Sequence, residues 1–198
     1  MSYESQDGQD KFVLEHLGQM RGGYFVDIGA HDGQNLSNTY VLEEQFGWTG
    51  LLIDADPKII DMLRQTRKST VVHETLWSTS CEMEFKSIEG GTLSGLAATL
   101  THSKALKRDS KSYFVTTKTL DKVLDQYGCP AHINYMSIDI EGAEYEVLST
   151  YSFSRTFDVI SVEHLRHKDK IVEILDKNGY QEAKTILEGN ETIFIRRL

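Results

Sequence analysis

The chain has 198 residues and a formal charge of −9, with 21 basic against 30 acidic side chains. That length suits one domain, read here as 1–198, large enough to bury a core without staples. The acidic balance speaks against phosphate-backbone binding, so no nucleic-acid partner is expected; no apolar run approaches the ~18 residues of a membrane span, so no membrane insertion is expected.

Residues 1–11 are polar and show no secretory signal, and a cytoplasmic location is expected. Residues 1–20, with Gln6, Gln9 and Asp10, read either as a segment covering a cofactor or as an ordinary N-terminal helix. Tyr24–Ile28 reads as a short buried strand ending in a glycine turn. Residues 36–46 read as a helix, and 51–53 as a second strand closed by Asp54. Pro57 takes the first position of a helix running to 67, and Thr70–His73 is a third strand. Residues 81–111 are less regular, with Glu82–Ile88 as an edge strand or hairpin and 89–95 as a loop. A strand over 113–117 leads into a helix over 120–127. Strands over 132–140 and 158–163 flank a helix over 143–149. A helix over 168–178 is stopped by Gly179. Strands over 181–187 and 192–196 meet through Glu188-Gly189-Asn190 and must be antiparallel. Cys81 and Cys129 match neither a zinc spacing nor a disulfide framework.

Alternating strands and helices imply a mostly parallel α/β sheet with helices on both faces. Seven strands closing in a C-terminal antiparallel hairpin resemble the Rossmann-like layout of the class I S-adenosylmethionine-dependent methyltransferases.

The first strand ends Asp27-Ile28-Gly29-Ala30-His31-Asp32-Gly33. In an open α/β sheet the ligand binds beyond the carboxyl ends of the strands. Gly29 permits a tight turn and close ligand approach, and Gly33 lets the next helix start near the sheet. A dinucleotide site wants G-x-G-x-x-G and a pyrophosphate, which acidic side chains repel. Asp27 and Asp32 instead attract a cationic ligand such as the sulfonium of S-adenosylmethionine. Ala30 and His31 sit beside that ligand. Asp54 ends the second strand, where a carboxylate accepts from both ribose hydroxyls; Asp56 caps the Pro57 helix or assists. Thr75 and Leu76, after the third strand, offer a wall and a backbone donor for adenine, with Trp77 as further wall or plain core.

A second acidic turn reads Ser137-Ile138-Asp139-Ile140-Glu141-Gly142-Ala143-Glu144, and the next strand ends Ser161-Val162-Glu163-His164. Parallel strands bring these to one rim. Asp139 orients the cofactor's methionine end or the acceptor. Asp139, Glu141 and Glu163 are candidate oxygen ligands for Mg²⁺ or Mn²⁺, against a capping role for the first two. His164 and Asp139 are candidate general bases, with Glu141 and Glu163 orienting them or binding metal; a solvated loop is the alternative for His164.

Together with Ser5 to Val13 (SQDGQDKFV), Phe25 to Gly33 and Gly47 to Pro57 (GWTGLLIDADP), these two turns resemble the FkbM-type methyltransferase family. Asp54 stands where that family commonly has glutamate. The resemblance implies S-adenosylmethionine-dependent O-methylation of a sugar or glycan hydroxyl, a deoxyhexose such as rhamnose included. It also implies work beside, or fusion to, glycosyltransferases. Residues 87–111 match nothing in the family. Gly90, Gly91 and Gly95 with Lys104, Lys107, Arg108 and Lys111 read as a basic acceptor lid for a phosphorylated or nucleotide-linked sugar, or as a solvated loop. Two rival classes are a nicotinamide-dependent sugar oxidoreductase, which the glycine spacing disfavours, and a non-catalytic Rossmann-like binding module.

Overall fold

A central sheet of seven strands organises the computed structural model, which describes residues 3–89, 93–100, 108–183 and 190–197. Its strands are β1 (Tyr24–Ile28), β2 (Thr49–Asp54), β3 (Thr70–His73), β8 (His132–Ile138), β9 (Thr156–Glu163), β10 (Tyr180–Glu182) and β11 (Glu191–Arg196), in the spatial order β10-β11-β9-β8-β1-β2-β3. β1, β2, β3, β8 and β9 pair in parallel. β11 runs antiparallel to both β9 and β10, so the expected hairpin inserts its second strand between the first and the rest of the sheet. Residues 184–189, on which part of that hairpin was read, lie outside the described residues.

Helices cover both faces, as the alternation of strand residues requires. On one face Val26 and Ile28 of β1 and Leu51 and Ile53 of β2 pack in a core that includes α4 (Leu120–Gln126), α5 (Glu144–Thr150) and α6 (Lys168–Lys177). On the other, Phe25 and Leu52 join residues of α1 (Gln9–His16), α2 (Tyr40–Phe46) and α3 (Pro57–Thr66). α3 starts as its sequence dictates: Asp56 accepts from the Lys58 amide at 3.0 Å and Pro57 takes the first turn. α2 starts four residues later than its pattern suggests. Asp32 accepts from the Gln34 and Asn35 amides, holding the chain in a turn, and Leu36 has φ of 60°.

The strand expected over 113–117 belongs to a second sheet. β4 (Thr75–Leu76), β7 (Ser110–Lys118), β5 (Glu82–Ile88) and β6 (Gly95–Leu96) pair in that order. β5 and β7 are antiparallel, and exposed Glu82, Glu84, Ser112 and Phe114 mark a half-wet ribbon rather than a buried α/β strand. No helix among the described residues is long and apolar enough to cross a membrane.

Candidate active site

The carboxyl ends of β1, β2, β8 and β9 open into a cleft of about 520 Å³. One wall is the loop before α2, another the second sheet, and Gln6, Asp7 and Gln9 border it on the N-terminal side. The first turn is built by contact. Gly29 has φ of 90°, and a Cβ there would lie 1.7 Å from the Asp139 carbonyl oxygen, so glycine is required by the end of β8 itself. Gly33 does not line the cleft; its missing Cβ makes room for Leu63 and Arg67 on α3 and beyond, rather than letting a helix approach the sheet.

Asp27 faces the cleft while Thr39 Oγ1 donates to it at 2.6 Å. Burial raises its pKa, opposed by Thr39 and the nearby Arg67. Arg67 donates to Glu43, to the Gly33 and Thr39 carbonyls and to Thr39 Oγ1, tying the loop before α2 to the floor. Asn38 extends that tie to β8, donating to Ser137 Oγ at 2.8 Å.

Asp54 accepts the His31 amide on one oxygen at 2.9 Å and the Asp56 amide on the other at 2.8 Å. Each oxygen keeps a second lone pair, so the carboxylate still has room for a vicinal diol. Burial raises its pKa to about 6, against the pull of those two amides. Ala30, His31, Thr75 and Leu76 line the cleft, as do Leu93 to Leu96 from the second sheet. Ser94 docks that wall by donating to Asp56 at 3.2 Å, and a Cβ on Gly95 would sit 3.2 Å from Glu141 Cβ.

Asp139, Glu141 and Glu163 converge with carboxylate oxygens within 4.8 Å of one another. Neither Asp139 nor Glu141 is used as a cap. Glu144 takes that task, accepting the Ile140 and Gly142 amides at 3.0 Å each. Glu144→Ala strands two donors and is expected to cost about 1–3 kcal/mol, while Glu144→Gln, which keeps an acceptor oxygen, costs less; denaturant melts decide between them.

Desolvation in the cleft, and then the Glu163 charge, raise Asp139 well above the usual carboxylate range. Burial and then the charges of Asp139 and Glu144 push Glu141 to about 8. Burial, chiefly, puts Glu163 at about 7, against a side-chain hydrogen bond with Asp139, and no other donor among the described residues reaches its enclosed Oε2. Glu191 was not singled out by its sequence. It lies directly opposite Glu163 in the β9–β11 register, faces the cleft, and is pushed to about 8 by burial and the Asp139 charge. The available signal was the reversal of the last strand, which brings its beginning, not its end, to the functional rim.

His164 does not line the cleft. Successive strand residues point to opposite faces, and with Glu163 turned inward the His164 ring pairs with Thr192 Oγ1 at 2.7 Å. Burial lowers its pKa. The reading of His164 as the base therefore fails on geometry. Residues 90–92 and 101–107, including Gly90, Gly91, Lys104 and Lys107 of the expected lid, lie outside the described residues.

Solved structures of similar shape define the class. A TehB-like SAM-dependent methyltransferase from Corynebacterium glutamicum aligns with a TM-score of 0.52 at 13% identity, over 98% of this chain and 89% of that one. A precorrin-6y C5,15-methyltransferase from Geobacter metallireducens gives 0.51 at 14% identity, over 96% and 87%. The fold is that of the class I S-adenosylmethionine-dependent methyltransferases. Residues 27–182 match the methyltransferase FkbM domain, and the chain belongs to that family of S-adenosylmethionine-dependent methyltransferases. No curated protein matches the chain.

Proposed function

We propose that the protein is one methyltransferase domain that methylates a sugar hydroxyl of a glycan or glycoconjugate. The observation carrying this reading is the convergence of Asp139, Glu141 and Glu163 in the cleft, with the enclosed Glu163 Oε2 among them. A hydroxyl acceptor must lose a proton, and Glu163, at about 7, is the carboxylate of the three suited to take it. S-adenosylmethionine, when bound, supplies an electrophilic methyl group. Asp54 accepts from its ribose hydroxyls, Thr75 and Leu76 flank the adenine, and Gly29 and Ala30 leave the backbone open beside it. Asp139 orients the acceptor, and Glu163 Oε2 takes the acceptor proton. A positioned base is worth about 10²–10⁴-fold. Holding the acceptor in line is worth roughly 7–11 kcal/mol. The N-terminal segment, through Gln6 and Gln9, covers the cofactor. Free thiols at Cys81 and Cys129 suit a reducing compartment and support a cytoplasmic setting.

Three converging oxygen donors of raised pKa also fit a hard divalent cation. Asp139, Glu141 and Glu163 would hold Mg²⁺ or Mn²⁺, which would acidify a sugar hydroxyl. Carboxylates with raised native pKa bind protons that the unfolded chain has released, so stability falls as pH rises from about 4.5 through 7–8. Cation affinity rises over the same interval. At pH 8.5, Mn²⁺ at about 100 times its Kd is expected to raise Tm by about 5–10 °C. At pH 5.5 it does little. Thermal melts across this grid check it, and an effect equal at both pH values argues against the carboxylate site.

The function is tested by methyl transfer to a panel of simple glycosides and amines, with and without Mg²⁺, in wild type and Glu163→Gln. Transfer to oxygen that Glu163→Gln slows by about 10²-fold or more supports the reading. Transfer to nitrogen alone overturns it.

A further inference from the structure

We propose that the acceptor carries no phosphate or other anionic group, so that methylation follows the glycosyl transfer that expels the nucleoside diphosphate. The inference rests on the sugar reading above. Eight Asp or Glu side chains line the cleft and, among the described residues, no Lys or Arg does. Two nearby cations are already paired: Lys118 Nζ lies 2.7 Å from Oε1 of Glu74, one of the eight, and Arg67 is enclosed with Glu43. Arg166 does not line the cleft; it donates to the Gly142 carbonyl at 3.5 Å and its buried Nε has no partner among the described residues, while Arg108 donates to the Glu89 carbonyl.

Glu163 and Glu191 stand directly across from each other, and Glu191 is already held by Ser161 and Gln9. Glu163 Oε2 is enclosed, and apart from the neighbouring Asp139 carboxyl no donor among the described residues reaches it. Such acceptors call for a ligand rich in O–H or N–H donors. The same field opposes a diphosphate, and low-dielectric walls strengthen that opposition. Bound S-adenosylmethionine brings one net positive charge, from a sulfonium and an ammonium less a carboxylate, and the described lining adds no cation to it.

The test compares methyl transfer to neutral methyl glycosides and to the matching nucleoside diphosphate sugars, with and without Mg²⁺. Uridine diphosphate is titrated calorimetrically into the cofactor-loaded protein in parallel. The neutral glycoside is expected to lead by about 100-fold or more in kcat/KM, a margin that high salt narrows. Glu191→Gln, which removes one of the opposed charges, is expected to narrow it too. Uridine diphosphate is expected to show no binding below about 10 mM. Equal or preferred use of the nucleotide-linked sugar overturns the proposal, as does sub-millimolar binding of uridine diphosphate, Mg²⁺-bridged binding included. If neither sugar form is methylated and uridine diphosphate still fails to bind, the sugar reading falls and the exclusion of anions stands.

Discussion

Asp54→Ala is expected to weaken S-adenosylmethionine binding by about 100-fold or more, read by calorimetry beside wild type. The loss has two sources. Two charge-assisted hydrogen bonds to the ribose disappear, each worth about 1.5–3 kcal/mol. The His31 and Asp56 amides also lose their acceptor, which frees the turn carrying Ala30 and His31. Asp54→Asn separates these sources. Its amide nitrogen cannot accept, so one backbone amide goes unmet while one oxygen still serves both roles, and an intermediate loss is expected. Because burial places Asp54 at about 6, the wild-type affinity falls as pH drops below that value, where the carboxyl protonates and forfeits an acceptor. The alanine variant lacks this dependence. An Asp54→Ala protein that binds as tightly as wild type would remove the ribose role altogether.

Arg67→Ala is expected to be the most destabilising single change in the loop network. The Arg67 side chain is 0% exposed and that of its partner Glu43 is 3% exposed, with 3.0 Å between them. Removing one partner of a buried ion pair costs about 3–5 kcal/mol, because the other charge stays behind undischarged. For a chain of this size that lowers Tm by roughly 6–20 °C. Arg67→Lys recovers little, since a point charge cannot serve Glu43, the Gly33 and Thr39 carbonyls and Thr39 Oγ1 together. The effect reaches the cleft, since Thr39 also donates to Asp27. Below its lowered melting point, the variant is expected to bind S-adenosylmethionine more weakly. A variant that melts like wild type would show that the network relaxes at no cost.

Local chemistry made most of the sheet legible. β1 reads as a strand because Phe25, Val26 and Ile28 are apolar on both faces, and α3 because Asp56 and Pro57 start it and its apolar positions recur at helical spacing. The four acidic strand ends were legible for the same reason: parallel strands share their carboxyl ends, so Asp27, Asp54, Asp139 and Glu163 must reach one rim whatever packs around them. Orientation was less legible where it turns on a single residue. Glu163 and His164 are neighbours in the chain, yet the strand's two-residue period sends one into the cleft and the other to Thr192.

The remainder required the chain to be folded. Arg67 looks like an ordinary basic residue after a helix, and only the return of residues 33–39 over α3 encloses it. Glu191 follows Glu163 by a helix and a strand, and only the reversed β11 sets them face to face. The second sheet meets the cleft through Gly95 of β6 and the adjoining Ser94, contacts that join residues with no common local pattern. Periodicity, caps and turn chemistry are short-range properties, so the chain itself dictates the parallel sheet and its acidic rim. The charge of the cleft as a whole, and the pairing of Glu191 with Glu163 across it, come from long-range packing that local sequence does not encode.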